Sequence, residues 1–91
     1  MDIIHAQNRL ENIFVELGFE YNIINEKKYL VFNNTYCKIS FIYAENSFVI
    51  ETADTYAEAE KGVLEDSDWF SIDDIKEHQE KIRNIIMNYY M

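Results

Sequence analysis

Apolar residues recur at spacings of three and four along the first segment of the chain. Ile3, Ala6, Leu10, Ile13, Phe14 and Leu17 form the series, with Asn8, Arg9, Asn12 and Glu16 between them. This is the rhythm of an amphipathic helix. Asp2 is placed to cap its start, because a side-chain oxygen there can accept from a free first-turn N–H. Gly18 is placed to end it in a left-handed conformation, with Phe19 folding back onto the last turn.

From Phe19 to Thr52 the period changes to two, in four runs rich in aromatic and β-branched residues. The spacing predicts strands at Phe19–Ile24, Lys28–Phe32, Tyr36–Tyr43 and Phe48–Thr52. The turns fall at Asn25–Lys27, Asn33–Thr35 and Ala44–Ser47. Turns this short join antiparallel neighbours, so a four-stranded meander is expected. Alternation puts Cys37, Ile39, Phe41 and Tyr43 on one face of the third strand. Phe19, Tyr21, Ile23, Leu30, Phe32, Phe48 and Ile50 join them as the expected core. Tyr29, Val31, Tyr36, Ile42 and Val49 lie on the opposite face. An apolar face of that size is expected to be covered, by a partner or by a second copy of the chain.

Beyond the strands, Thr55 and Glu58 have the spacing of a capping box, and Gly62 stops the short helix they begin. Val63 to Phe70 reads as a connecting loop. Ser71 and Asp74 repeat the capping spacing before a long helix, in which Ile72, Ile75, Gln79, Ile82, Ile86 and Tyr89 keep a three-four rhythm broken only by Gln79. The expected fold is α+β: an N-terminal helix, a four-stranded antiparallel meander, then a short and a long helix packed on one sheet face. Ninety-one residues without proline, repeat or linker leave room for one domain, residues 1–91.

Composition narrows the function. Seventeen acidic residues against eight basic ones give a formal charge of −9, which repels phosphate backbones and anionic lipid. Direct nucleic-acid or membrane-surface binding is therefore disfavoured, and a basic protein partner is favoured by complementary fields. Cys37 is the single cysteine, so no internal disulfide is available. Met1 to Leu17 carries charges throughout and resembles neither a signal peptide nor a membrane span, which makes the cytoplasm the expected compartment.

Candidate chemistry is sparse. Cys37 points with Ile39 and Phe41 and reads as a core thiol. His5 and His78 lie on separate helices without a second ligand at metal-motif spacing. Glu65, Asp66 and Asp68 offer hard oxygen ligands, and a twelve-residue calcium loop counted from Asp66 would end at Glu77. Ser71 then stands where that loop needs glycine, and helix onset at Ile72 breaks its geometry. Gly18 and Gly62 are both explained as helix stops, leaving no phosphate-cradling loop. No catalytic residue, metal or cofactor is expected, and the chain is read as a non-enzyme.

The charge is unevenly spread. Residues 54–74 hold eight acids and one base, Lys61, a net charge of −7. Within that segment Glu58, Glu65, Asp66, Asp68, Asp73 and Asp74, together with Trp69, are the candidate partner-binding residues. Trp69 fits either of two positions, closing the gap between sheet and last helix or anchoring an interface.

The stretch Phe48 to Ile75, FVIETADTYAEAEKGVLEDSDWFSIDDI, resembles a pattern in small immunity proteins of bacterial polymorphic-toxin systems. It runs from a strand into a short Glu-Ala helix, then an apolar-Glu-Asp-x-Asp-aromatic turn, then an amphipathic helix. The resemblance implies a small, acidic cytoplasmic protein that neutralises a cognate toxin by direct binding. A basic toxin, with a nuclease as the leading target, is the expected partner. A phage-encoded inhibitor of a host nucleic-acid-binding or defence protein is the near variant, and a dimeric structural or regulatory subunit is the alternative from a different class.

Overall fold

Asp2 accepts a hydrogen bond from the His5 N–H at 2.8 Å and so begins α1 (Ile3–Glu16) in the computed structural model, which describes residues 2–91. At the other end Gly18 takes a φ of +110°, a region closed to most side chains. That reversal lets the Phe19 N–H reach the Phe14 carbonyl at 3.0 Å and sets the two rings edge to face, 5.0 Å apart.

Four strands follow as expected, at β1 (Glu20–Ile24), β2 (Lys27–Phe32), β3 (Thr35–Ile42) and β4 (Ser47–Ala53). Asn25 and Glu26 both adopt positive φ between β1 and β2, as a two-residue hairpin loop matched to strand twist requires. A short 3-10 turn, Tyr43–Glu45, links β3 to β4.

The segment expected as a loop departs from expectation. After α2 (Tyr56–Lys61), residues Glu65–Ser71 form a further strand, β5, antiparallel to β4. The sheet therefore has five strands, in the order β1-β2-β3-β4-β5. Phe70 supplies the reason: it enters the core opposite Phe48, and that burial offsets the polarity of the residues before it.

A second correction concerns the last helix, which is two helices, α3 (Ile72–Glu77) and α4 (Gln79–Tyr89). His78 leaves helical geometry at φ −128°, ψ 45°. The Gln79 side-chain amide then donates to the Ile75 carbonyl at 3.1 Å. The polar break in the apolar rhythm marks the break in the helix.

The helices do not share one sheet face either. On one face Leu10, Phe14, Phe48, Ile50, Phe70, Ile75, Ile82 and Ile86 form the main core between the sheet and α1, α3 and α4. On the other face α2 covers a smaller cluster of Ile24, Tyr29, Ala53 and Ala59. Tyr29 is fully buried there, its hydroxyl donating to the Ala59 carbonyl at 2.8 Å. Part of the face expected to need a partner is thus covered from within the chain. Three expected core residues, Tyr21, Ile23 and Tyr43, are exposed: the first two lie on the edge strand β1 and the third in the 3-10 turn.

Candidate functional site

β5 forms one edge of the sheet, and its register decides where its acids point. Asp68 stands opposite Ile50 and Asp66 opposite Glu51, so Ser67 is an extra residue in a bulge. An unbroken alternation would have put Asp66 on the core face beside Asp68 and Phe70. The bulge turns it to the second face instead, as bulges do when they re-aim a side chain. There Asp66 faces Glu51, a like-charge pair. Glu51 is held by Ser40 at 3.1 Å and by Lys38 at 3.8 Å.

The seven predicted site residues divide into two groups. Glu65, Asp66 and Asp73 are exposed, and among the described residues none of them takes part in an ion pair. Trp69 is 45% exposed on the second face, opposite the buried Val49; it is not core. Of the remaining three, Glu58 and Asp68 are engaged through their carboxylates and Asp74 through its backbone N–H. Glu58 closes the capping box of α2, its N–H bonded to Thr55 Oγ1 at 3.1 Å and its Oε1 accepting from Thr55 Oγ1 and the Asp54 N–H. The Asp74 N–H donates to Ser71 Oγ at 3.0 Å, which starts α3. Asp68, half-buried, accepts a 2.6 Å hydrogen bond from the Tyr90 hydroxyl. Burial, reinforced by the Asp68 charge, pushes the Tyr90 phenol far above its ordinary pKa. That contact fastens the end of α4 to β5.

Another carboxylate, Glu11, is buried on the core face of α1, with 5% of its side chain exposed. It accepts from Gln7 Nε2 at 3.0 Å, Tyr21 Oη at 3.0 Å and Lys28 Nζ at 2.9 Å. Burial pushes its pKa up, but the three hydrogen bonds and the Lys28 charge outweigh it and leave it lowered. The sequence held one signal for this: Gln7 and Glu11, four apart, lie along the margin of the apolar stripe, between Ile3 and Phe14.

The remaining chemical candidates are Cys37, His5 and His78. Cys37 is fully buried, and burial pushes its thiol up to about 12, which suppresses the thiolate. His5 and His78 are exposed on separate elements. Among the described residues no group of three or more His, Cys, Asp or Glu side chains is disposed to hold a metal ion, and no helix is long and apolar enough to cross a membrane. What the arrangement offers is an unpaired sheet edge bearing free carboxylates and a tryptophan. Comparison with protein-family models, with curated proteins and with solved structures found no match to this chain.

Proposed function

We propose that this chain is a cytoplasmic, non-enzymatic inhibitor of the immunity type, which neutralises a basic toxin domain, with a nuclease as the leading target, by direct contact. One observation carries the reading: Glu65, Asp66 and Asp73 stand exposed on and just beyond the edge strand β5, free of intramolecular ion pairs among the described residues, next to the half-exposed Trp69. A nuclease surface carries Lys and Arg to hold phosphate, and carboxylates presented on a rigid strand complement it. Trp69 supplies the apolar contact that dominates the centre of such interfaces. The resemblance of residues 48–75 to immunity proteins supports the same reading. The engagement of the Glu58 and Asp68 carboxylates within the chain shifts its centre onto Glu65, Asp66, Trp69, Asp73 and Asp74.

The test is neutralisation. Each protein encoded beside this chain's gene is expressed in bacteria with and without it. Rescue of growth from one toxic neighbour, with a stable complex on gel filtration, is the expected result. Neighbours that are either harmless or unrescued contradict the proposal.

A further inference from the structure

The outer side of β5 has a definite hydrogen-bonding phase. The Ile72 N–H donates to the Asn46 carbonyl at 3.4 Å, which makes that position a hydrogen-bonded pair in the β4–β5 ladder. Antiparallel ladders alternate, so Phe70 and Asp68 turn their backbone groups toward β4. Trp69 turns its N–H and carbonyl, and Ser71 its N–H, away from the sheet, where no strand follows among the described residues; the Ser71 carbonyl faces the first turn of α3, which Ser71 caps.

A small cavity of about 100 Å³ lies beside this edge, between β5 and α4. It is lined by the apolar residues Trp69, Phe70, Ile82 and Ile85 and by the charged residues Asp68, Asp74 and Lys81. Two carboxylates against one lysine leave the lining net negative, and with its apolar residues it suits a side chain with a long aliphatic stem and a cationic head. Trp69, opposite the buried Val49, adds a half-exposed aromatic surface at the same edge.

We propose that the outer edge of β5 takes up an extended, basic segment of the protein partner as a sixth strand, with one Lys or Arg side chain of that segment lodged in the cavity between β5 and α4. The inference rests on the reading of the chain as a binder of a basic protein and names the mode of binding. Backbone pairing at Trp69 and Ser71 supplies affinity, and the side chains alternating to the two faces supply selection. Basic residues turn toward Asp68 and Asp74, and small apolar ones lie on Trp69. A second copy of the chain is a poor occupant, because residues 54–74 carry a net charge of −7 and β5 against β5 brings two such segments together. The bulge at Ser67 limits regular pairing to the stretch from Asp68 onward, so charge and cavity decide which strands are accepted.

The probe is the peptide acetyl-Lys-Val-Lys-Thr-Lys-Val-Lys-amide, in which lysines occupy one face of an extended strand. Trp69 is the single tryptophan and reports binding by its fluorescence. The expected result is saturable binding of the whole protein, with hydrogen exchange slowed at the Trp69 and Ser71 amides. Binding weakens about ten-fold or more when the lysines become norleucines, and by a similar factor when alternate peptide amides are N-methylated. Asp74→Asn weakens it in the same direction without altering the fold. Absence of saturable binding at ~1 mM peptide, or amide protection elsewhere than at Trp69 and Ser71, overturns the proposal. So does protection of those amides by self-association of the free protein. An N-methylated peptide that binds as well as its parent overturns strand addition but leaves a charge-driven docking surface standing. Failure of neutralisation with strand pairing intact removes the immunity reading alone.

Discussion

A carboxylate beside one end of the sheet and three at the other meet opposite surroundings. Beside β1 and β2, Glu11 is buried and accepts three hydrogen bonds, one of them from Lys28. On and just beyond β5, Glu65, Asp66 and Asp73 are exposed and free of ion pairs among the described residues. A carboxylate removed from water must recover its solvation from fixed donors, and Glu11 does. A carboxylate left in water contributes little to folding and keeps its charge available to another molecule. Glu11 is spent on stability, whereas the acids at β5 leave their charge in solvent.

The comparison breaks most visibly at Glu11. Glu11→Lys places a cation among the donors that held an anion, and chemical denaturation should show a loss of about 3 kcal/mol or more. Glu11→Gln keeps the shape but removes the charge, at about 1–2 kcal/mol near neutral pH. Its larger signature is in acid. Because the folded-state pKa of Glu11 lies below 4.5, its contribution is complete above the unfolded value and is lost as pH falls through the folded value. The stability gap between wild type and Glu11→Gln should therefore narrow below about pH 4.5; a gap that stays constant down to the acid limit removes Glu11 from the stabilising set.

Tyr90→Phe is expected to come next, at about 1.5–2 kcal/mol, since it deletes the donor to the half-buried carboxylate of Asp68. Hydrogen exchange should quicken along α4 and β5 together, because that bond ties them. Cys37 sharpens the picture of the same core. With its thiol buried and its pKa raised to about 12, labelling by a thiol reagent at pH 8 should proceed only as fast as the protein opens, and full reaction within minutes contradicts that burial.

Much of this fold was legible because its signals are local. The Asp2 cap, the Gly18 stop, the Thr55–Glu58 and Ser71–Asp74 boxes and the alternation of β1 to β4 all depend on residues within a few positions of one another. β5 was not legible because the bulge at Ser67 breaks the period of two, and three carboxylates in four residues imitate a solvated loop. The side taken by α2 was hidden too, since that six-residue helix buries only Ala59. Asp68, singled out with its neighbours for recognition, finds Tyr90 twenty-two residues away, a partner that no spacing rule indicates. Trp69 kept two readings in the sequence because an aromatic residue beside acids suits both core and interface; only the register against Val49 places it on the open face.

The smallest folding effect belongs to the exposed acids. Reversing Glu65, Asp66 and Asp73 to Lys should move stability by about 0.5 kcal/mol or less per site, with no change in secondary structure. The variant's use lies in binding. Its control reverses Glu20 and Glu26, which are exposed and outside residues 54–74 on the far edge strand and its hairpin, so that net charge changes by four units against six while the local field at β5 does not. The most direct measurement is the association rate of each variant, at several salt concentrations, with the basic toxin domain that the proposed function calls for. The account predicts that wild type and control associate quickly with a steep salt dependence, whereas the β5 variant associates at least about ten-fold more slowly with a flattened one. Equal slowing of both variants, or of neither, would contradict recognition through this edge of the sheet.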